Sequence, residues 1–127
     1  MIESLSVNNF AIVHKLDVEW FSGLSTITGE TGAGKSIAID AISFALGARG
    51  DVSTIRAGSE QTDVRIAFNI EKNKAAQDLL EEYSVTDNDQ CIVARRMGKN
   101  GRSKVYINGM LATLTQVKNL GETLLSV

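Results

Sequence analysis

The run Gly29-Glu30-Thr31-Gly32-Ala33-Gly34-Lys35-Ser36 constrains this chain more than any other feature. It fits the phosphate-binding pattern G-x-x-x-x-G-K-S/T at every fixed position. The glycines let the backbone take positive φ angles and bring N–H groups close to phosphate oxygens. A helix opening at Lys35 aims the positive end of its dipole at the same oxygens. Lys35 would reach the β- and γ-phosphates as a point charge, and Ser36 would give its hydroxyl to Mg²⁺, which would supply charge stabilisation there. The candidate nucleotide-binding residues are therefore Gly29, Glu30, Thr31, Gly32, Ala33, Gly34, Lys35, Ser36 and Ile37, with Ser36 as the metal ligand. The local context agrees. Leu24-Ser25-Thr26-Ile27-Thr28 reads as a short strand before the loop, and a helix is predicted from near Lys35 to about Leu46, capped by Gly47.

The hydrolytic half of such a site is missing. A second acidic Mg²⁺ ligand ordinarily ends an apolar strand. Asp40 follows Ile37-Ala38-Ile39 but lies on the predicted helix, and Asn69 interrupts the run before Glu71. No side chain stands out as the base that orients an attacking water, so no catalytic residue is assigned.

Composition narrows the class. A chain of 127 residues, 43% hydrophobic and 22% charged, is one ordinary globular domain. Its 13 Lys and Arg against 15 Asp and Glu exclude a bulk polycation. The lone Cys91 cannot form an internal disulfide, which points to a reducing compartment. No apolar run approaches the roughly 18 residues of a membrane span, and the start Met1-Ile2-Glu3-Ser4 lacks the features of a signal peptide.

The remaining pattern reads as strands and short helices. Ile2 to Asn8 and Leu16 to Trp20 are predicted to pair antiparallel, with a turn at Phe21-Ser22-Gly23. Ile37, Ile39, Ile42, Phe44 and Leu46 surround the loop helix, predicting that it is mostly buried. Val64, Ile66, Phe68 and Ile70 alternate with polar or small residues as a strand. Ala75 to Tyr83 is an amphipathic helix. Cys91 to Met97 and Ser103 to Ile107 form a hairpin across Gly98-Lys99-Asn100-Gly101, and Asn108-Gly109 is a turn. Leu114 to Leu120 is a short helix ended by Gly121, and Leu124 to Val127 reads as the start of a buried strand. On that last reading the polypeptide is expected to be part of a longer protein.

Several stretches together carry a resemblance. Asn9-Phe10-Ala11-Ile12, Gly23-Leu24, the loop through Ile37, Asp40-Ala41 and Leu46-Gly47-Ala48-Arg49 look like the start of the RecN family. These are bacterial ATPases of DNA double-strand-break repair, related to SMC proteins. Glu30-Thr31-Gly32-Ala33 inside the loop is the telling part, and Arg95-Arg96 through Ser103 with Tyr106-Ile107-Asn108-Gly109 adds to it. The resemblance implies an α/β P-loop NTPase fold, the N-terminal lobe of an ABC/SMC-type ATPase head with a flanking antiparallel β layer. The P-loop strand and helix would stand at its centre. Residues 1–127 would be that nucleotide-binding lobe, with a coiled coil and a C-terminal lobe elsewhere in the protein. The resemblance further implies ATP and Mg²⁺ as cofactors, a head-to-head homodimer closed by ATP, and broken DNA ends as the partner. It also implies a cytoplasmic, nucleoid-associated location in a bacterium.

Other candidates are weighed beside bland roles. Arg95, Arg96, Lys99, Arg102 and Lys104 fall together with no acid among them, so the hairpin could meet DNA phosphates or simply be solvated. Arg49 and Asn9 are candidate nucleotide or DNA contacts by position in the resemblance, against a surface arginine and a turn residue. Cys91 and Trp20 read as core, and the single histidine, His14, has no neighbour with which to bind metal. Alternatives are the head of an SMC, Rad50-like or RecF-like ATPase, a stand-alone P-loop kinase that uses the basic hairpin as a lid, and a binding module with a relic loop.

Overall fold

A computed structural model of the chain describes residues 2–21, 24–27 and 31–125. The strands are β1 (Ile2–Phe10), β2 (Val13–Phe21), β3 (Leu24–Ile27), β4 (Gln61–Asn69), β5 (Gln90–Gly98), β6 (Ser103–Ile107) and β7 (Met110–Ala112). The helices are α1 (Thr31–Ala45), α2 (Lys74–Glu82) and α3 (Leu114–Leu125), with a 3-10 turn at Val52–Thr54. The strands form one sheet in the order β3-β2-β1-β4-β5-β6-β7, and every pair of neighbours is antiparallel.

Period-two alternation decides the layering. Leu5 pairs with Ile66, Ile66 with Val93, and Val93 with Ile107, so these apolar side chains share one face. That face is buried, and all three helices contribute to the same core: Ala41 and Phe44 from α1, Ala76 and Leu80 from α2, and Val117 and Leu120 from α3. Fully burying an aliphatic or aromatic side chain is worth about 1.5–3 kcal/mol, which makes this one-sided seam the main source of stability. The opposite face carries Ser6, Asn8, Asp63, Arg65, Arg96 and Tyr106, which line an open trough of about 640 Å³. No helix among the described residues is long and apolar enough to cross a membrane.

The caps follow sequence logic. Gly47 ends α1 with φ +107, and the Gly47 and Ala48 amides donate back to the Phe44 and Ser43 carbonyls in a Schellman motif. The Asn73 side chain accepts from Ala76 N at 3.1 Å and caps α2. Thr113 and Gln116 exchange side-chain and backbone bonds of 2.9 and 3.1 Å, a capping box for α3.

The fold corrects several expectations. The strand before the phosphate loop, β3, pairs among the described residues only with β2, at the rim of the sheet rather than its centre. The antiparallel pairing of β1 with β2 and of β2 with β3 lays the three side by side, which carries β3 outward. α1 starts at Thr31, four positions before Lys35. First-turn residues lend carbonyls to the helical ladder without needing a partner for their own N–H, so Gly32 and Gly34 join it at little cost. Ile39 is 64% exposed rather than buried, because a helix on one sheet face covers only one of its own faces. α3 runs through Gly121 to Leu125, so Gly121 is no terminator, and Leu124 and Leu125 are helical rather than the start of a strand. Gly121 is buried where α3 meets the end of α1, and a Cβ there would lie 3.2 Å from Leu46 Cβ. The short strand β7 escaped sequence detection. Thr28, Gly29 and Glu30, the proposed turn residues Ser22 and Gly23, and the end of the predicted strand at Ser126 and Val127 lie outside the described residues.

Gly121→Val is expected to lower unfolding free energy by about 1–3 kcal/mol, since the branched side chain forces α3 away from Leu46. Urea denaturation monitored by circular dichroism measures this.

Candidate functional site

The candidate site is built at the N-terminus of α1. Ala38, Ala41 and Ala45 favour the helix, and with Ile37 and Phe44 they turn its buried side toward the sheet. Ser36, Ile39, Asp40 and Ser43 form the exposed side. Ile37 is therefore an anchor that holds the first turns down, while its neighbour Ser36 is exposed. The first N–H groups of a helix have no intrahelical acceptor, and in α1 these belong to the segment from Thr31 to Gly34. Gly32, Ala33 and Gly34 thus supply a row of backbone donors at the positive end of the helix dipole. Of the predicted run, Gly29 and Glu30 lie outside the described residues, whereas Thr31 through Ile37 occupy α1. Among the described residues no cluster of His, Cys, Asp or Glu is arranged to hold a metal.

At the other end of α1 the structure overturns the reading of Arg95 as a surface contact. Arg95 is 4% exposed. It shares a face of β5 with Val93 and Met97, so the strand's own alternation drives it inward. Its guanidinium lies 4.2 Å from the Phe44 ring centroid. Nη1 donates to Phe44 O at 2.8 Å and to Ala48 O, while Nε and Nη2 donate to Ser103 Oγ at 3.3 and 3.2 Å. Desolvation lowers its pKa from the ordinary arginine value, the expected cost of burying a cation. Sequence inspection missed this role, although the in-phase spacing Val93, Arg95, Met97 was the available signal.

The rest of the basic hairpin divides. Arg96 Nε donates to Asp63 Oδ1 at 3.1 Å, and this hydrogen bond raises the arginine's pKa. Lys99 pairs with Glu60 at 3.4 Å. Both acids come from β4 and the segment before it, far away in sequence. Arg102 and Lys104 are exposed and enter no ion pair among the described residues. Arg49 is exposed just past α1, where its charge helps to lower the pKa of Asp51, after the larger effect of hydrogen bonds from Ser53. Asn9 takes a turn role. It has φ +56 at the β1–β2 hairpin, and its Oδ1 lies 3.0 Å from His14 Nδ1. The β1–β2 turn also reaches the segment after α1, where Arg56 N donates to Asn9 O at 2.9 Å.

Cys91 is wholly buried, and burial pushes its thiol pKa up to about 12. The folded state therefore favours the neutral thiol, so this contribution to stability is full below the unfolded thiol pKa and is lost as pH rises toward about 12. Comparing urea midpoints of the native chain and Cys91→Ala across this alkaline window should show a steeper fall for the native chain. Iodoacetamide should label Cys91 only on unfolding. The exposed Asp63–Arg96 pair is expected to matter little. Asp63→Asn should change stability by less than about 1 kcal/mol, with the difference shrinking in high salt.

Comparison with known proteins is consistent with this geometry. The AAA domain family matches residues 4–125. The DNA repair protein RecN of Vibrio cholerae is 47% identical over 127 residues, all of this chain and 23% of the relative. RecN of Bacillus subtilis is 38% identical over 128 residues, again all of this chain and 22% of the relative. The chain thus spans under a quarter of the length of these relatives. Among solved structures, one described under "Structural biochemistry of ATP-driven dimerization and DNA stimulated activation of SMC ATPases" superposes with a TM-score of 0.74 at 28% identity, covering 96% of this chain and 78% of that one. The α/β class and the antiparallel layer read from the sequence therefore agree with the fold of an SMC-type ATPase lobe. The chain belongs to the AAA domain family and is homologous to RecN along its whole length.

Proposed function

We propose that this chain is the ATP-binding half of a RecN-like ATPase acting in DNA double-strand-break repair. The observation that carries the proposal is the run Gly29–Ser36, complete at every fixed position, leading from the rim strand β3 into α1. The donors fit a nucleoside triphosphate. The first-turn amides of α1 and the Lys35 ammonium would hold phosphate oxygens, and the exposed Ser36 hydroxyl is suited to the Mg²⁺ that partly neutralises them. Bound Mg²⁺ would supply charge stabilisation at the β- and γ-phosphates. Lys35 would orient the γ-phosphate, and Ile37 would keep the turn seated on the core.

Among the described residues no acidic cluster is arranged to hold a metal, and in this reading hydrolysis requires groups from a C-terminal lobe and from an opposing head closed over ATP. The similarity to the DNA repair protein RecN supports a role in DNA repair for the whole protein, and the reading extends this to broken DNA ends as its partner and a cytoplasmic, nucleoid-associated setting. Among the described residues of the hairpin, the kinase alternative keeps only Arg102 and Lys104 as free cations for a lid. Arg95 is buried, while Arg96 and Lys99 are committed to Asp63 and Glu60.

Titration of Mg-ATP into this chain by calorimetry tests the proposal, with Lys35→Ala as control. The expected result is saturable binding that the substitution weakens by at least about 100-fold, or about 2.7 kcal/mol. Equal affinity of the two proteins would remove Lys35 from the site and with it the proposed cradle.

A further inference from the structure

The contacts that seat α1 on the sheet are of two kinds. Ile37, Ala38, Ala41 and Phe44 bury apolar surface, which is non-directional and tolerates small sliding or rotation of a helix. Hydrogen bonds to a guanidinium are directional and do not. Among the described residues, Arg95 alone sends side-chain hydrogen bonds from the sheet to the backbone of α1 and its C-terminal cap, at Phe44 O and Ala48 O. Its guanidinium carbon lies over the Phe44 ring, and Ser103 on β6 holds its other edge. Gly50 keeps the space open, because a Cβ there would lie 3.1 Å from Arg95 Nη2 and 3.1 Å from Phe44 Cε1. The cation also faces the negative end of the helix dipole.

We propose that Arg95 is a positioning residue for nucleotide binding, fixing the axial position and rotation of α1 and so the placement of the phosphate-binding donors at its opposite end. The inference rests on the reading of the α1 N-terminus as the phosphate site. A helix of 15 residues is a stiff rod about 21 Å long at 1.5 Å per residue, so a displacement at Phe44 is delivered to Gly32 and Gly34. The same guanidinium connects the β5–β6 hairpin to that rod through Ser103, which makes the hairpin base part of the site's support. A buried cation is costly to hold in place. Here every nitrogen has an acceptor: Nη1 bonds two carbonyls at the C-terminal end of α1, the end opposite the proposed phosphate site, and Nε and Nη2 bond Ser103 Oγ on β6.

The test uses Arg95→Lys, which keeps the charge but cannot stack flat and donate to Phe44 O, Ala48 O and Ser103 Oγ together. Two readouts are taken well below the melting temperature, on samples whose circular dichroism matches the native chain. The first is the position of the Gly32 and Gly34 amide resonances in nucleotide-free two-dimensional NMR spectra. The second is affinity for Mg²⁺ with a mant-labelled ATP. The expected result is displaced glycine resonances and an affinity lower by about tenfold. A purely structural arginine would lower the melting temperature and leave both readouts unmoved, and that result overturns the proposal. Should Arg95→Lys fail to fold, Ser103→Ala carries the same test. It frees one edge of the guanidinium with the core intact, so unmoved glycine resonances overturn the proposal and displaced ones support it. Failure of the nucleotide reading is separately visible. It appears as no mant-ATP binding by the native chain, or as no effect of Lys35→Ala, and the amide comparison still decides whether Arg95 positions the helix end.

Discussion

The contact between α1 and the buried face of the sheet is the constraint on which the rest depends. A sheet with one apolar face must cover it, and the helix that follows the third strand lies across β1, β4 and β5. Once α1 is laid there, its ends acquire different chemistry. The N-terminal end carries first-turn amides that the helix itself cannot satisfy, in the segment that follows the rim strand β3. The C-terminal end is driven into the interior, where its carbonyls would lack water. Arg95 meets that need from β5, whose inward-facing row passes beneath Phe44. One packing decision thus places the buried acceptors of the helix over β5 and leaves its donors at the opposite end.

Charge is partitioned with equal economy. The acids crowded into residues 51–90 and the bases crowded into 95–104 look like two opposed patches in the linear chain. The antiparallel pairing of β4 with β5 folds one run against the other. Asp63 then faces Arg96, and Glu60 reaches Lys99. The outcome is a hairpin in which Arg96 and Lys99 are paired, with Arg102 and Lys104 left as its exposed cations. The exposed pairs add little to stability in water. Their effect is to lower the density of uncompensated positive charge on this surface.

Much of this was legible from local pattern. Alternation located β4 and the β5–β6 hairpin, Gly47 marked the end of α1, and the buried Cys91 followed from its place in a strand. Those features depend on period, turn residues and caps, which act over a few neighbours. The errors share a different cause. Gly121 reads as a helix end because glycine weakens helices. It stands inside α3 because Leu46, far off in sequence, approaches too closely for a Cβ. Ile39 reads as core because isoleucine usually is, yet only the placement of the sheet says which side of α1 is covered.

The sequence by itself determined the phosphate-binding pattern, the kinship to RecN and the order of most strands and helices. These are encoded in residue type and short spacing, and they need no knowledge of what lies opposite. Tertiary structure decided the place of β3 at the rim, the exposed side of α1, and the division of the basic hairpin into a buried clamp, paired ions and exposed cations. Each of these depends on which distant segment supplies the partner. An arginine at position 95 is the same residue on paper whether it faces water or Phe44. Strand pairing and the cover of α1 settle the matter, because they place three hydrogen-bond acceptors and an aromatic face around a cation that would otherwise remain hydrated.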